Sequence, residues 1–219
     1  MIDTAGQIPI KDSCERQKRS LEDSRNAFGE DHPDTLTAML DLADCLWAQG
    51  RLIAARKLEE QVVAGRRRLL GEQHADTLKA IGKLAVTLGA QGNLEAARRL
   101  QEEVVSGRRA GFGDADLETL RAVNNLAGTV AAQGDLTRAR ELLASVLATT
   151  CREFGERHPD SLTTMSNLAA VLWQEGERAE AHALQQQVVE SWRRERGEDD
   201  ETARAAAAVL DIMERDPGY

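Results

Sequence analysis

The chain has 219 residues and a formal net charge of −9, with 42% hydrophobic, 30% charged and only 3% aromatic residues. The apolar fraction is too high for a disordered chain, and no run of about 18 apolar residues marks a transmembrane helix. So few aromatic residues argue against a β-sandwich or barrel, whereas abundant Ala, Leu, Arg, Glu and Gln favour helices. The composition predicts an all-α protein with no membrane partner.

The negative charge is concentrated near the C-terminus. Residues 197–219 carry seven acids and two bases, and the rest of the chain is nearly neutral. Because nucleic-acid binding needs a basic surface, no nucleic-acid partner is predicted. The arginine runs at 66–68 and 108–109 fall near predicted helix C-termini, where a positive charge interacts favourably with the negative end of the helix dipole.

The three cysteines are odd in number and show no CxxC spacing: Cys14, Cys45 and Cys151. This pattern argues against a disulfide framework and against a structural zinc site. We expect three small, half-buried thiols in helices and a reducing, cytoplasmic location.

The sequence repeats itself every 42 residues. Glycines recur at positions 29, 71, 113, 155 and 197, and the blocks between them align without a gap. Seven residues after each of the first four glycines stands a leucine, and a fully aligned Leu-Ala pair begins six residues later: Leu42-Ala43, Leu84-Ala85, Leu126-Ala127 and Leu168-Ala169. Four copies in register indicate a repeat architecture.

Each copy is predicted to form two helices, A and B. Helix A starts near Pro33 or its equivalents, has apolar residues at a helical period, and ends at a Gln-Gly or Glu-Gly pair. Helix B fills the rest of the copy. Small residues at two apolar positions, such as Ala43 and Ala55, predict close approach of A and B. Gly65 and Gly107, inside helix B, predict another close contact.

The domain organisation follows from this register. We predict an extended or disordered segment at 1–14, a lone helix B at 15–28, repeats at 29–70, 71–112, 113–154 and 155–196, and a capping helix with an acidic tail at 197–219. In the capping helix Asp211 takes the alanine position, which predicts that this face is exposed, as is usual for the end of a solenoid.

These features resemble the tetratricopeptide repeat. The segments Asn125-Leu126-Ala127 with Gln133-Gly134, and Asn167-Leu168-Ala169 with Gly176, resemble its signature most closely. The 42-residue length and the Gly-Glu-x-His-Pro-Asp opening at 29–36 and 155–162 resemble the kinesin-light-chain type. The resemblance implies a right-handed α-solenoid of antiparallel helix pairs, a superhelix whose A helices line a concave groove. The lysine–asparagine carboxylate clamp of chaperone-binding members is absent.

No catalytic, metal or cofactor site is predicted. The three histidines at one repeat position, His32, His74 and His158, would lie at least about 8–10 Å apart in adjacent repeats, too far for one zinc ion. No Ser/His/Asp or Cys/His set departs from the repeat pattern, and the glycines stop helices instead of cradling phosphate. The chain is therefore predicted not to be an enzyme.

The resembled fold places one set of helix A positions in the groove. They are Thr37, Leu40, Asp44 and Trp47; Lys79, Gly82, Val86 and Gly89; Arg121, Asn124, Gly128 and Ala131; and Thr163, Ser166, Ala170 and Trp173, with Asp41, Lys83, Asn125 and Asn167 at the edge. This predicts a groove that is wide and basic in the middle, with a tryptophan at each end.

The leading functional hypothesis is a scaffold that binds a protein or peptide along this groove. Trp47 and Trp173, roughly 25–30 Å apart by the interaxial spacing, would anchor apolar residues. Asn124 would face the ligand, Asn125 and Asn167 would bind its backbone, and Lys79, Lys83 and Arg121 would favour an acidic centre. The open alternatives are that both tryptophans fill space between helices, that the chain forms homo-oligomers through its terminal helices, or that it is a ligand-responsive sensor.

Overall fold

The computed structural model describes residues 10–215, and all regular structure in that range is helical. The helices are α1 (Ile10–Phe28), α2 (Pro33–Ala48), α3 (Leu52–Leu70), α4 (Ala75–Ala90), α5 (Leu94–Phe112), α6 (Leu117–Ala132), α7 (Leu136–Phe154), α8 (Pro159–Glu175), α9 (Arg178–Arg196) and α10 (Glu201–Arg215). Within this range, none of these helices combines the length and apolar character needed to cross a membrane. The all-α prediction is confirmed.

The chain divides into two compact units, Met1–Gly111 and Phe112–Tyr219. In the first unit, α2 and α4 are A helices and α1, α3 and α5 are B helices. In the second unit, α6, α8 and α10 are A helices and α7 and α9 are B helices. Within each unit, sequential A and B helices pack against one another, including α4 and α5 through Leu78 and Gly107.

The A helices begin where the sequence places a cap. His32, His74 and His158 are N-cap residues, and the Nδ1 atom of each accepts a hydrogen bond from the backbone N–H two residues later, at 3.2–3.3 Å. Asp116 takes this role in the third copy, where its carboxylate accepts from the Thr119 N–H at 2.9 Å. These side chains satisfy amide groups that a helix N-terminus otherwise leaves unpaired.

The small residues of the repeat lie in the seams between helices. The eight repeat alanines are fully buried: Ala43, Ala55, Ala85, Ala97, Ala127, Ala139, Ala169 and Ala181. A Cβ atom added to Gly65 would stand 2.8 Å from Leu36 Cδ2, and one added to Gly107 would stand 2.8 Å from Leu78 Cδ2. The predicted close contact is therefore between the helix B glycine and the first leucine of helix A in the same copy.

The two ends of the array agree with the prediction in part. Helix α1 begins at Ile10, so the predicted extended segment 1–14 is wrong for residues 10–14, whereas residues 1–9 lie outside the described range. At the other end, Asp211 is exposed on α10, as predicted. The inner face of α10 packs on α8 and α9 through Ala203 and Ala206. Residues 216–219 also lie outside the described range.

A disulfide joins Cys14 on α1 to Cys45 on α2, which contradicts the predicted free thiols. The Cα atoms lie 5.5 Å apart, inside the usual range for a disulfide. Counting and local spacing could not reveal the pair, because packing of two successive helices brings together cysteines 31 residues apart. The inference of a reducing, cytoplasmic compartment loses its basis, since disulfides persist mainly in oxidising environments. Cys151 is a free, half-buried thiol.

The arginine runs have a more specific role than dipole compensation. Arg66 and Arg108 are buried. The Arg66 guanidinium donates from Nη1 to the Asp76 carbonyl oxygen at 2.9 Å, which ties α3 to the first turn of α4. Arg67 pairs with Glu103 on α5 at 2.6 Å. Arg66 and Arg67 therefore join consecutive repeats within the first unit.

Candidate binding surface of the A helices

The side of each A helix that turns away from the B helices is exposed; we call it the A face. In the first unit its apolar part consists of Trp47 on α2, with 44% of its surface exposed, and Val86 on α4, with 39% exposed. A Cβ atom added to Gly82 would meet no atom within 4 Å, so the surface beside this glycine is open. Leu40, which the sequence interpretation places in the groove, is buried instead.

The lysines of the first unit differ in their surroundings. Lys83 Nζ lies 2.5 and 2.7 Å from the two carboxylate oxygens of Asp44, so an ion pair links α4 to α2. Lys79 is exposed, and within residues 10–215 it has no ion pair. The predicted basic middle is therefore partly neutralised, because an acid from the preceding repeat occupies one of its two lysines.

A buried carboxyl group lies beneath this ion pair. Glu59 on α3 is only 2% exposed; its Oε1 accepts a hydrogen bond from the Thr87 hydroxyl at 2.9 Å, and its Oε2 is buried with no partner among the described residues. Burial raises the pKa of Glu59, while the Thr87 hydrogen bond opposes that rise. In the second unit Gln185 has the equivalent position. Both ends of its amide are satisfied, by Ser166 Oγ and by the Ala206 carbonyl oxygen.

In the second unit, Arg121 is held by two acids. Its Nε and Nη2 donate to the two oxygens of Asp160 at 2.5 and 2.9 Å, and its Nη1 donates to Glu118 at 2.6 Å. The hydrogen bonds that the guanidinium donates to Asp160 raise its pKa, despite partial burial, which lowers it. This pairing joins α6 to α8 and leaves one negative charge in excess in the group of three.

A cavity of about 210 Å³ opens beside this ion pair, between α6, α7 and α8. Its apolar walls come from Leu120 and Val146. Its remaining walls are the polar side chains of Arg121, Asn124, Asn125, Thr150, Asp160, Thr163 and Thr164. The Oδ1 atom of Asn124 is buried and has no hydrogen-bond partner among the described residues. The cavity therefore has two apolar side chains in its lining and one residue, Asn124, whose amide oxygen is unsatisfied.

The remaining predicted residues have mixed positions. Trp173 is half-buried, and the guanidinium of Arg178 lies 3.9 Å from the centre of its ring. Asn125 is exposed and Asn167 half-buried, and neither amide has a hydrogen bond within residues 10–215. Trp192 belongs to the core of the second unit. Of the two tryptophans singled out from the sequence, Trp47 thus has the freer ring.

The structure brings together three of the predicted binding residues, Arg121, Asn124 and Asn125, around one cavity. Trp47, Lys79 and Lys83 lie on the A face of the other unit, and the predicted span from Trp47 to Trp173 stays a prediction. Sequence reasoning did not associate Asp160 or Thr164 with this site. The pairing of Arg121 with Asp160 could have been found by allowing for a stagger between neighbouring A helices. Arg121 lies eight residues after its repeat glycine, whereas Asp160 lies five residues after the next repeat glycine.

The described residues contain no group of three or more His, Cys, Asp or Glu side chains arranged to hold a metal ion. Three of the four histidines instead serve as N-caps. Phe28 stacks on His32 with ring centres 4.6 Å apart, and Phe154 lies 5.1 Å from His158. These histidines therefore order the entrances of the A helices.

Both units thus consist of consecutive A and B helices with buried alanine seams and an exposed A face, the construction of helix-pair repeat proteins. One sequence model of the tetratricopeptide repeat matches residues 10–68 and 118–194, and a second model of this repeat matches residues 77–118. The chain belongs to the tetratricopeptide repeat family, and its repeats are of the kinesin-light-chain type. Repeats of this family form protein–protein interaction modules.

Solved structures show the same architecture. The Q17M crystal structure of a Podosopora anserina kinesin light chain with nearly identical TPR-like repeats shares 27% identity, covers 84% of this chain and 87% of its own, and has a TM-score of 0.71. BtubC (BKLC) from P. vanneervenii shares 17% identity over 97% of this chain and 94% of its own, with a TM-score of 0.72.

A more distant similarity is to PlcR of Bacillus thuringiensis, solved in complex with the peptide PapR7 and DNA. It shares 11% identity over 92% of this chain and 69% of its own, with a TM-score of 0.64, and at this identity the likeness concerns the fold alone. The sequence has no significant match among curated proteins.

Proposed function

We propose that this protein is a non-enzymatic adaptor that binds a peptide or helix of another protein on its A face. The observation that carries the proposal is the exposure of Trp47. A tryptophan at the surface of a helix offers a large apolar ring at low entropic cost, and tryptophan is enriched among the residues that dominate binding energies. Each unit can present its own A face to a partner.

The room around the A face supports the same proposal. Gly82 on α4 and Gly128 on α6 are helical, and an added Cβ atom at either would meet no other atom within 4 Å. Because the surface is recessed at these glycines, a ligand backbone can approach the helices closely. The amides of Asn125 and Asn167 are available to hydrogen-bond such a backbone.

The predicted preference for an acidic ligand rests on fewer residues than the sequence suggests. Lys83 is paired with Asp44, and Arg121 is paired with Asp160 and Glu118. Lys79 is the exposed lysine that supports an acidic preference in the first unit. We therefore propose anchoring by Trp47 as the main contribution there, with Lys79 adding electrostatic attraction at the rim.

A phage-displayed library of random peptides, selected on the full chain, tests the proposal directly. The dissociation constants of the selected peptides are then measured for the wild type and for Trp47→Ala. We expect a loss of about 30-fold or more, since truncation of a tryptophan at a binding hot spot costs roughly 2 kcal/mol or more.

Ile53→Ala is the matched control, because Ile53 is 72% exposed on the B helix α3. This variant should bind the selected peptides as the wild type does. The proposal would be contradicted if a folded Trp47→Ala variant bound the peptides as tightly as the wild type, or if Ile53→Ala lost more affinity than Trp47→Ala. Either result would assign the binding to another face.

Self-association through the terminal helices is less well supported. Ile212 is an exposed apolar residue on α10. Single exposed apolar residues are ordinary on the surfaces of monomers. A second copy is therefore a weaker candidate partner than a different protein, and light scattering across micromolar concentrations tests it.

A further inference from the structure

The cavity between α6, α7 and α8 presents hydrogen-bond acceptors. The hydroxyl groups of its three threonines donate to backbone carbonyl oxygens: Thr150 to Leu147 at 3.1 Å, Thr163 to Pro159 at 2.9 Å and Thr164 to Asp160 at 2.8 Å. Each hydroxyl has one hydrogen, so its oxygen can only accept a further hydrogen bond. Thr150 and Thr164 are buried, whereas Thr163 is exposed, so the Thr163 oxygen is the threonine acceptor that a ligand can reach.

Asn124 adds an acceptor that is already short of a partner. Asn124 lines the cavity, and its Oδ1 atom is buried and receives no hydrogen bond from the described residues. A buried polar atom without a partner is costly, so a ligand that donates to it recovers that cost. The volume of about 210 Å³ exceeds by several-fold the roughly 30 Å³ that one water molecule occupies in the liquid. A side chain of several atoms therefore fits.

The charge around the cavity is negative. At its rim Arg121 is matched by Asp160 and outnumbered by the addition of Glu118. On a larger scale, residues 112–196 contain 13 acids and 9 bases, a net charge of −4, whereas residues 1–111 contain 17 of each. This field attracts cationic ligands and repels anionic ones.

We propose that this cavity binds the basic side chain, lysine or arginine, of a protein partner. The aliphatic stem would lie against Leu120 and Val146, and the cationic head would donate to Asn124 Oδ1 and to the Thr163 oxygen. The assignment rests on the proposed function, in that the basic residue belongs to a bound partner. It gives the second unit a ligand preference opposite in sign to that of Lys79 in the first unit.

The first experiment does not depend on any partner peptide. Nα-acetyl-lysine amide is titrated into the isotope-labelled full chain and followed by NMR, with the neutral Nα-acetyl-norleucine amide and the anionic Nα-acetyl-glutamate amide as comparisons. We expect saturable shifts at Asn124, Asn125 and Thr163 with the lysine derivative only. Equal shifts with norleucine, or stronger binding of glutamate, would overturn the assignment.

The variant Asn124→Leu removes the acceptor while keeping a similar size, and Gln174→Leu is its control, because Gln174 also carries a side-chain amide on an A helix, α8, but does not line the cavity. Lysine binding should fall about tenfold or more in Asn124→Leu, the effect of losing a hydrogen bond to a charged group, and stay unchanged in Gln174→Leu. Unchanged lysine binding in a folded Asn124→Leu variant would overturn the assignment. If that variant does not fold, Thr163→Val provides the same comparison at an exposed wall residue.

Peptides selected on the wild type separate this inference from the proposed function. A selected peptide that binds the second unit should contain a lysine or arginine whose replacement by norleucine weakens binding to the wild type but not to Asn124→Leu. Peptides that bind there without any basic residue would leave the adaptor function standing and refute the basic site. Lysine-specific shifts without any selected peptide would support the site and count against the adaptor function.

Discussion

Replacing Glu59 with glutamine should stabilise the protein at neutral pH and have no effect in acid. The Glu59 side chain is almost fully buried, with one oxygen bonded to Thr87 and the other unpartnered. Gln185 shows that a carboxamide at the equivalent position of the second unit satisfies both of its ends. Because the third residue at this position, Gln101, leaves its own Oε1 unpartnered, the expected gain comes from removing a buried negative charge and not from a new hydrogen bond. A buried group left unsatisfied costs about 1–3 kcal/mol, which sets the scale of the gain in the free energy of unfolding at pH 7.

The pH dependence has a definite sign. The folded-state pKa of Glu59 is raised by burial, so the folded protein retains this proton at pH values where the unfolded chain has lost it. The contribution of Glu59 to the free energy of unfolding is therefore fully present below its unfolded-state pKa and is lost as the pH rises through its folded-state pKa. Glu59→Gln removes this loss, and the difference in stability between variant and wild type should grow from near zero in acid to its full value at neutral pH.

Urea unfolding followed by circular dichroism between pH 4 and pH 8 measures this difference. Glu60→Gln is the matched control, since the neighbouring Glu60 forms an exposed ion pair with Arg56. Such a pair contributes about 0–1 kcal/mol, so this variant should change little at any pH. A Glu59→Gln variant that is less stable at pH 7, or whose effect does not vary with pH, would refute the reasoning.

Two further predictions concern helix packing and the disulfide. Gly82→Ala should raise the free energy of unfolding by about 1 kcal/mol, because alanine is the better helix former and the added methyl group has open space. Gly65→Ala gains the same propensity but must displace the buried Leu36, at a cost of about 1–3 kcal/mol, so urea titration should show it no more stable than the wild type. Cys14→Ser should lower the free energy of unfolding by about 2–4 kcal/mol, and a reductant should bring the wild type to the same urea midpoint.

Each of these predictions is controlled by a second variant or condition of the same protein. Equal stabilisation by Gly82→Ala and Gly65→Ala would contradict the proposed contact with Leu36. A reductant that also destabilises the Cys14→Ser variant would show an effect unrelated to the disulfide.

The helices and their seams could be predicted from the sequence because they depend on local rules repeated four times. The 42-residue spacing fixes helix lengths, the His-Pro-Asp opening fixes N-caps, and buried alanines recur at fixed positions. Gly65 is instructive, because its small size and its position inside a helix together predicted a close contact, and Leu36 provides it.

The ion pairs and the cavity could not be predicted by comparing equal positions of successive repeats. Neighbouring A helices are staggered by about one helical turn, so that Asp44, 15 residues after its repeat glycine, meets Lys83, 12 residues after the next. Residues at the same position of successive repeats therefore lie in equivalent surroundings, but they are not the residues that contact one another. The disulfide was missed for a related reason, since it depends on how α1 lies against α2.

The position of the disulfide affects how the ends of the chain open. In repeat proteins each helix contacts only its neighbours, so a terminal helix loses the fewest contacts when it detaches. Helix α1 is covalently joined to α2, whereas α10 is held to its neighbours by non-covalent packing alone. Amide hydrogen exchange should therefore be slower in α1 than in α10 while the bond is intact, and reduction should speed exchange in α1 selectively. The oxidation state of one cysteine pair thereby sets how often the first helix frays.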